Sequence, residues 1–217
     1  MYLKAAAPAS AAVLFIFDKK QMKALIIVDI QNDFLPGGSL AVNDGDKIIP
    51  TINQLQNNYE LVVATQDWHP DGHLSFASQH PGKNVFEIID LHGLQQTLWP
   101  DHCVQETAGA AFADTLNTTK IEAIFRKGMS RHIDSYSGFY DNGKLKSTGL
   151  ADYLKGRKVN SVDVCGLAAD YCVYFTAMDS LELGFATTII EHATRAIDSN
   201  RFEQLKTIFT AKGGTMQ

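Results

Sequence analysis

Cysteine is scarce in this chain: Cys103, Cys165 and Cys172 are the only three in 217 residues. A small, odd number in a chain this long argues against a disulfide framework. It fits a reducing compartment, the cytoplasm, where a free thiol stays usable. Positive charge is also in short supply. A formal net charge of −5 offers no basic face to a phosphate backbone, which argues against nucleic acid as a partner. The one conspicuous apolar run, Ala11 to Phe17, is too short to cross a bilayer, so no membrane partner is expected. Internal repeats, low-complexity tracts and interdomain linkers are absent too, and residues 22–217 read as a single domain. What remains is ordinary for a globular protein with a substantial core: 45% hydrophobic and 20% charged residues.

Residues 1–21 are the exception. Lys4 followed by AAAPASAAVLFIF has the ingredients of a secretory signal, but the small residues precede the apolar part instead of following it. We read 1–21 as an extension, disordered or not native, ahead of a working start at Met22.

The rest of the chain alternates strand and helix patterns. Strand-like runs cover residues 24–30, 61–65, 121–125, 162–165 and 187–191. Helical patterns fall at 48–55, within 145–156, at 170–183 and at 202–209. Strands that are near-continuous apolar runs mean a parallel sheet covered on both faces. The expected fold is therefore three-layer α/β/α with a mainly parallel five- or six-stranded sheet. Between residues 66 and 107 the chain reads as a long irregular segment rich in His, Pro, Asp and Trp, and such loops are usually functional.

In an open parallel sheet, ligands bind at the carboxyl ends of the strands. Asp29 ends the first strand, Lys127 the third, and Cys172 opens the helix after the fourth. A thiol in a helix's first turn feels unpaired N–H groups and the positive end of the dipole, which favour the nucleophilic thiolate. Lys127, placed between Asp29 and Cys172, would keep Asp29 ionised, and Asp29 could then accept the thiol proton. Cys103 and Cys165 read as inert, the latter lying inside an apolar strand.

A second set of residues reads as a metal site. Asp67 and His69 alternate onto one side of an extended segment. His102 supplies a third donor, leaving open positions as catalytic metals require. Such a nitrogen and oxygen set suits one divalent ion, zinc, manganese or iron, and ligand type alone does not choose among them; zinc is the first expectation.

Six segments together carry a family likeness: ALIIVDIQNDFLPGGSLAV (Ala24 to Val42), TQDWHPDGHLSF (Thr65 to Phe76), WPDHCVQ (Trp99 to Gln105), FRKG (Phe125 to Gly128), YSGF (Tyr136 to Phe139) and CGLAADYCV (Cys165 to Val173). In this order they resemble the nicotinamidase/pyrazinamidase group of the isochorismatase-like hydrolases, over Met22 to about Gly213. The resemblance implies a catalytic triad of Asp29, Lys127 and Cys172. It implies metal ligands Asp67, His69 and His102, with His73 joining them in some members only. It also implies a cis Leu167–Ala168 peptide and an oxyanion hole formed by the N–H groups of Ala168 and Cys172. Phe34, Leu40, Trp99, Tyr136 and Tyr171 would shape a flat aromatic pocket.

The implied activity is hydrolysis of nicotinamide, and of pyrazinamide, through a cysteine thioester in NAD salvage. The partner is thus a small amide, with homo-oligomer formation left open. A related amidase acting on carbamoyl or maleamate-type substrates shares the triad, so the metal motif separates the two. Tyr171 stands where some relatives have histidine. The chain ends at Gln217, where relatives often continue into a sixth edge strand, so that strand is expected to be short or absent.

Overall fold

The computed structural model describes residues 22–217; the reading of 1–21 as an extension lies outside the described residues. In chain order the main elements are β1 (Met22–Val28), α1 (Ile49–Leu55), β2 (Leu61–Asp67), β3 (Ile88–Leu91), β4 (Leu94–Thr97), β5 (Ile121–Lys127), α2 (Leu150–Gly156) and β6 (Val159–Leu167). A π-helical turn (Ala169–Val173) then leads into α3 (Tyr174–Glu182), followed by β7 (Ala186–Arg195), α4 (Ser199–Ala211) and β8 (Thr215–Met216).

Six strands form one sheet in the order β5-β2-β1-β6-β7-β8, and every pairing in it is parallel. The expected sixth strand is present and short: β8 pairs with β7 through Thr215 and Met216. β1 is central and covered on both faces, which is why it reads as an unbroken apolar run. Alternate residues feed two cores. Ala24, Ile26 and Val28 pack with Leu150, Leu154, Ala177, Phe202 and Phe209 from α2, α3 and α4. Leu25 and Ile27 face the other way, onto Ile49 and Ile52 of α1 and onto Trp99 and Leu116. These are the three expected layers. Ile26 and Ile27 are fully buried, and truncating either to Ala would cost about 2–5 kcal/mol.

The chain runs outward from β1 through β2 to β5, then crosses to β6 on the other side of β1. The carboxyl ends of these strands thus open onto one crevice at the switch in strand order. Two expectations need correction. The segment 66–107 is not irregular throughout: β3 and β4 form an antiparallel hairpin, turned by His92 and Gly93, both at positive φ. The helix expected from residue 170 begins instead as the π-helical turn, with α-geometry only from Tyr174.

Candidate active site

Asp29 follows β1 with a positive φ of 47° and a fully buried side chain. Lys127 is the last residue of β5, and its register partner on β2 is Asp67. Parallel strands ending at one level therefore bring the three side chains together. Lys127 Nζ lies 2.9 Å from Asp29 Oδ2 and 3.1 Å from Asp67 Oδ1, and donates to Ser135 O at 2.9 Å. It also donates to Cys172 Sγ at 3.4 Å, so one ammonium bridges the two carboxylates and the thiol. Thr65 Oγ1 donates to Asp29 Oδ1 at 2.7 Å, fixing the other carboxylate oxygen. Asp29, Lys127 and Cys172 thus lie in one buried cluster.

Burial adds to the electrostatics of this cluster what the sequence does not show. Burial pushes the Cys172 thiol well above its ordinary value; Lys127 works against the rise, while Asp29 and Asp67 add to it. The dry turn that carries the thiol thus opposes the thiolate that its place in the turn favours. Nor does Lys127 win at Asp29. Burial raises that carboxyl, with Lys127 opposing and Asp67 adding, which makes it a better proton acceptor than a surface carboxylate. Lys127 itself is penalised by burial, yet Asp29, Asp67 and Cys172 together hold its ammonium well above the usual lysine value. Cys103 and Cys165 are buried with raised thiols, in both cases first through desolvation.

Asp67, His69 and His102 present donor atoms that all lie within 4.8 Å of one another, and all three residues are buried. Nε2 of His69 and of His102 lie 3.1 and 3.4 Å from Asp67 Oδ2. The opposite ring nitrogens face backbone carbonyls: His69 Nδ1 at 3.0 Å from Gly128 O, His102 Nδ1 at 2.8 Å from Pro100 O. A carbonyl can only accept, so each Nδ1 carries a proton, and each Nε2 faces the cluster, where it would give its lone pair to an ion in place of its contact with Asp67. Gly128 makes this possible: at φ +66° a Cβ there would lie 2.5 Å from His69 Cε1 and 2.8 Å from Asp67 Oδ1. Charge fits as well. Asp67 and Asp134 are buried carboxylates beside His69, and a divalent cation would answer their charge. His73 is buried beside His69, ring centroids 4.4 Å apart, but it belongs to a different donor group, with His69 and Asp134.

A cleft opens over these groups. Its walls include Phe34, Leu40, Trp99, Tyr136 and Tyr171, each expected from the sequence, and its floor includes Asp67, His102, Ala168 and Cys172. The Leu167–Ala168 peptide is cis. Trp99 meets Tyr171 edge-on at 4.8 Å and donates through Nε1 to Tyr136 OH at 3.3 Å. Arg201 holds Tyr171 from outside, donating to its hydroxyl at 2.6 Å with the guanidinium 4.0 Å over the ring.

Asp134 and Ile197 also line the cleft, and sequence reasoning missed both. Asp134 left one usable signal: it sits two residues before Tyr136, hence on the same side of an extended segment. Ile197 left none. It is brought in by the buried Asp170, whose carboxylate accepts from the backbone N–H groups of Ile197 and Asp198 at 2.9 and 3.0 Å.

With the geometry in hand, comparison with known proteins is direct. Residues 23–216 match the model of the isochorismatase domain. The chain is 49% identical over 177 residues to the nicotinamidase of Acinetobacter baylyi, covering 82% of this chain and 83% of that one. Among solved structures it is similar to a nicotinamidase/pyrazinamidase of Acinetobacter baumanii, with a TM-score of 0.88 and 49% identity, over 91% of this chain and 96% of the other. It is also similar to a pyrazinamidase of Pyrococcus horikoshii in complex with zinc. There the TM-score is 0.74 at 36% identity, over 90% of this chain and 98% of the other.

Proposed function

The chain belongs to the isochorismatase domain family, and on that premise we propose that it is a nicotinamidase: it hydrolyses nicotinamide to nicotinate and ammonia, and accepts pyrazinamide as a second substrate. The observation that carries this reading is the opening of one aromatic cleft onto both Cys172 and the Asp67/His102 pair. A flat heteroaromatic amide has a ring nitrogen for one end of that cleft and a carboxamide for the other.

A divalent ion held by Asp67, His69 and His102, zinc in our reading, would bind the ring nitrogen and so orient the carboxamide towards Cys172. The protein's own groups carry the chemistry. Asp29 takes the thiol proton as Cys172 Sγ attacks the amide carbon, forming the C–S bond. Lys127 stays charged and balances the negative charge shared by Asp29 and sulfur. The tetrahedral oxyanion is received by the N–H groups of Ala168 and Cys172, and one such donor lowers the barrier by about 2.7–4 kcal/mol. The C–N bond then breaks, and Asp29 returns its proton to the departing ammonia. Water attacks the thioester with Asp29 again as base, releasing nicotinate and restoring the thiol.

Among the described residues no helix is long and apolar enough to cross a membrane. With three unpaired cysteines, we place the enzyme in the cytoplasm, in NAD salvage. Ammonia release from a panel of amides tests the assignment. Nicotinamide and pyrazinamide should be turned over, and carbamoyl and maleamate-type amides should not. Preference for the latter would move the chain to another activity of the same family.

A further inference from the structure

Tyr171 is half-buried and stands between the cleft and the first turn of α4. On the cleft side its ring meets Trp99 at 4.8 Å and Tyr136 at 5.3 Å. Behind it, and outside the cleft lining, lies Arg201. Arg201 Nη1 donates to the Tyr171 hydroxyl at 2.6 Å, and the guanidinium carbon sits 4.0 Å from the ring centre. A planar guanidinium can stack on a ring and hydrogen-bond its hydroxyl at once, which a lysine ammonium does less well.

Arg201 is itself fixed from the cysteine turn. Asp170, next to Tyr171 and fully buried, accepts from the backbone N–H groups of Ile197 and Asp198. Asp198 then caps α4, its Oδ1 accepting from the N–H groups of Asn200 and Arg201 at 2.9 and 3.1 Å. The circuit closes at Tyr171. Two successive residues of the turn that presents Cys172 are therefore gripped by one segment, 197–201, and that segment also puts Ile197 into the cleft wall. A tyrosine ring can swing between staggered rotamers, and the stacked guanidinium occupies the side to which this one would swing. The position of the wall thus depends on a residue outside the cleft.

We propose that Arg201 is a positioning residue for substrate selection: it holds Tyr171 at the spacing of a flat, unsubstituted heteroaromatic amide and so keeps ring-substituted amides out. The inference rests on the reading of this cleft as the nicotinamide site.

Steady-state kinetics of the zinc-loaded enzyme, with melting curves, test it on wild type, Arg201→Met, Arg201→Lys, Tyr171→Phe and the Arg201→Met/Tyr171→Phe double variant. The substrates are nicotinamide and its 4- and 5-methyl derivatives, whose methyl groups leave the ring nitrogen clear. Methionine keeps a long, helix-compatible stem but neither charge nor donor. In Arg201→Met the KM for nicotinamide should rise about three- to tenfold, with kcat changed by less than about twofold. At least one methylated amide should gain in kcat/KM relative to nicotinamide. Arg201→Lys should fall between Arg201→Met and wild type. The Arg201→Met effect should shrink in the Tyr171→Phe background, where the hydrogen bond is already gone.

Wild-type KM and wild-type ranking of the three amides in Arg201→Met would overturn the inference. So would an equal effect in both Tyr171 backgrounds, or a fall in kcat and melting temperature with KM unchanged, which makes Arg201 a structural residue of α4. A wild-type enzyme that releases no ammonia from nicotinamide would overturn the reading of the cleft, and the inference with it.

Discussion

Lys127 and Asp67 end adjacent strands as register partners, and their side chains meet at 3.1 Å. The same ammonium lies 3.4 Å from Cys172 Sγ. In sequence the metal motif and the cysteine turn look independent; in the fold they share one cation. Charge placed on or taken from Asp67 is therefore felt at the thiol.

Metal removal should accordingly have one large and one small effect. The large one is loss of nicotinamide binding and turnover, in stripped protein or in His69→Ala. The small one is slower alkylation of Cys172 near neutral pH. An ion on Asp67 offsets a charge that raises the thiol, so stripping it lowers the thiolate fraction. Benzamide, lacking the ring nitrogen, should bind poorly to the loaded enzyme. Undiminished turnover without metal, or benzamide binding as tight as nicotinamide binding, would contradict this division of labour.

How far the site was legible depends on where each residue's partners come from. β1 and β2 could be read because both of their faces are covered, so nearly every residue is apolar. Asp29 could be read because it follows such a run; Lys127 could be read because it ends the mostly apolar edge strand β5. The β3–β4 hairpin could not: Ile88 is 61% exposed, and Ile-Ile-Asp-Leu against Leu-Gln-Gln-Thr shows no clean alternation. Its place is set by distant contacts such as Gln96 with Asp134. The surroundings of Cys172 were only half legible for a related reason. Position in a helix's first turn is visible in sequence, but the burial that outweighs it is a property of the assembled crevice.

Asp29 as base gives a pH test with a definite sign. Burial raises its carboxyl from the ordinary 3.8, and only the ionised form accepts a proton. The acid limb of kcat/KM should therefore lie above that value, activity falling as pH drops through it. Asp29→Asn keeps the shape but cannot accept a proton. It should lower kcat nearly as far as loss of the thiol, even though removing its charge eases ionisation of Cys172. A variant that keeps wild-type kcat would assign the base elsewhere.

Gly128→Ala tests the geometry of the metal cluster without touching a donor. The added methyl would lie within 3 Å of both His69 and Asp67, at a φ that only glycine adopts easily. Displacing a positioning group by an ångström can cost about 10²-fold in rate, and a loss of that order is expected, together with weaker zinc binding. Retained zinc affinity and activity would mean that the loop relaxes at no cost.

The central claim is that Cys172 forms a thioester with nicotinamide, and the most direct measurement is single-site removal of the thiol. Purified Cys172→Ala, with a circular dichroism spectrum and zinc content matching wild type, should release ammonia from nicotinamide at least about three orders of magnitude more slowly than wild type. Acid-quenched wild type under turnover should carry a nicotinoyl adduct on Cys172. A variant that keeps kcat within about tenfold of wild type would contradict covalent catalysis by this cysteine.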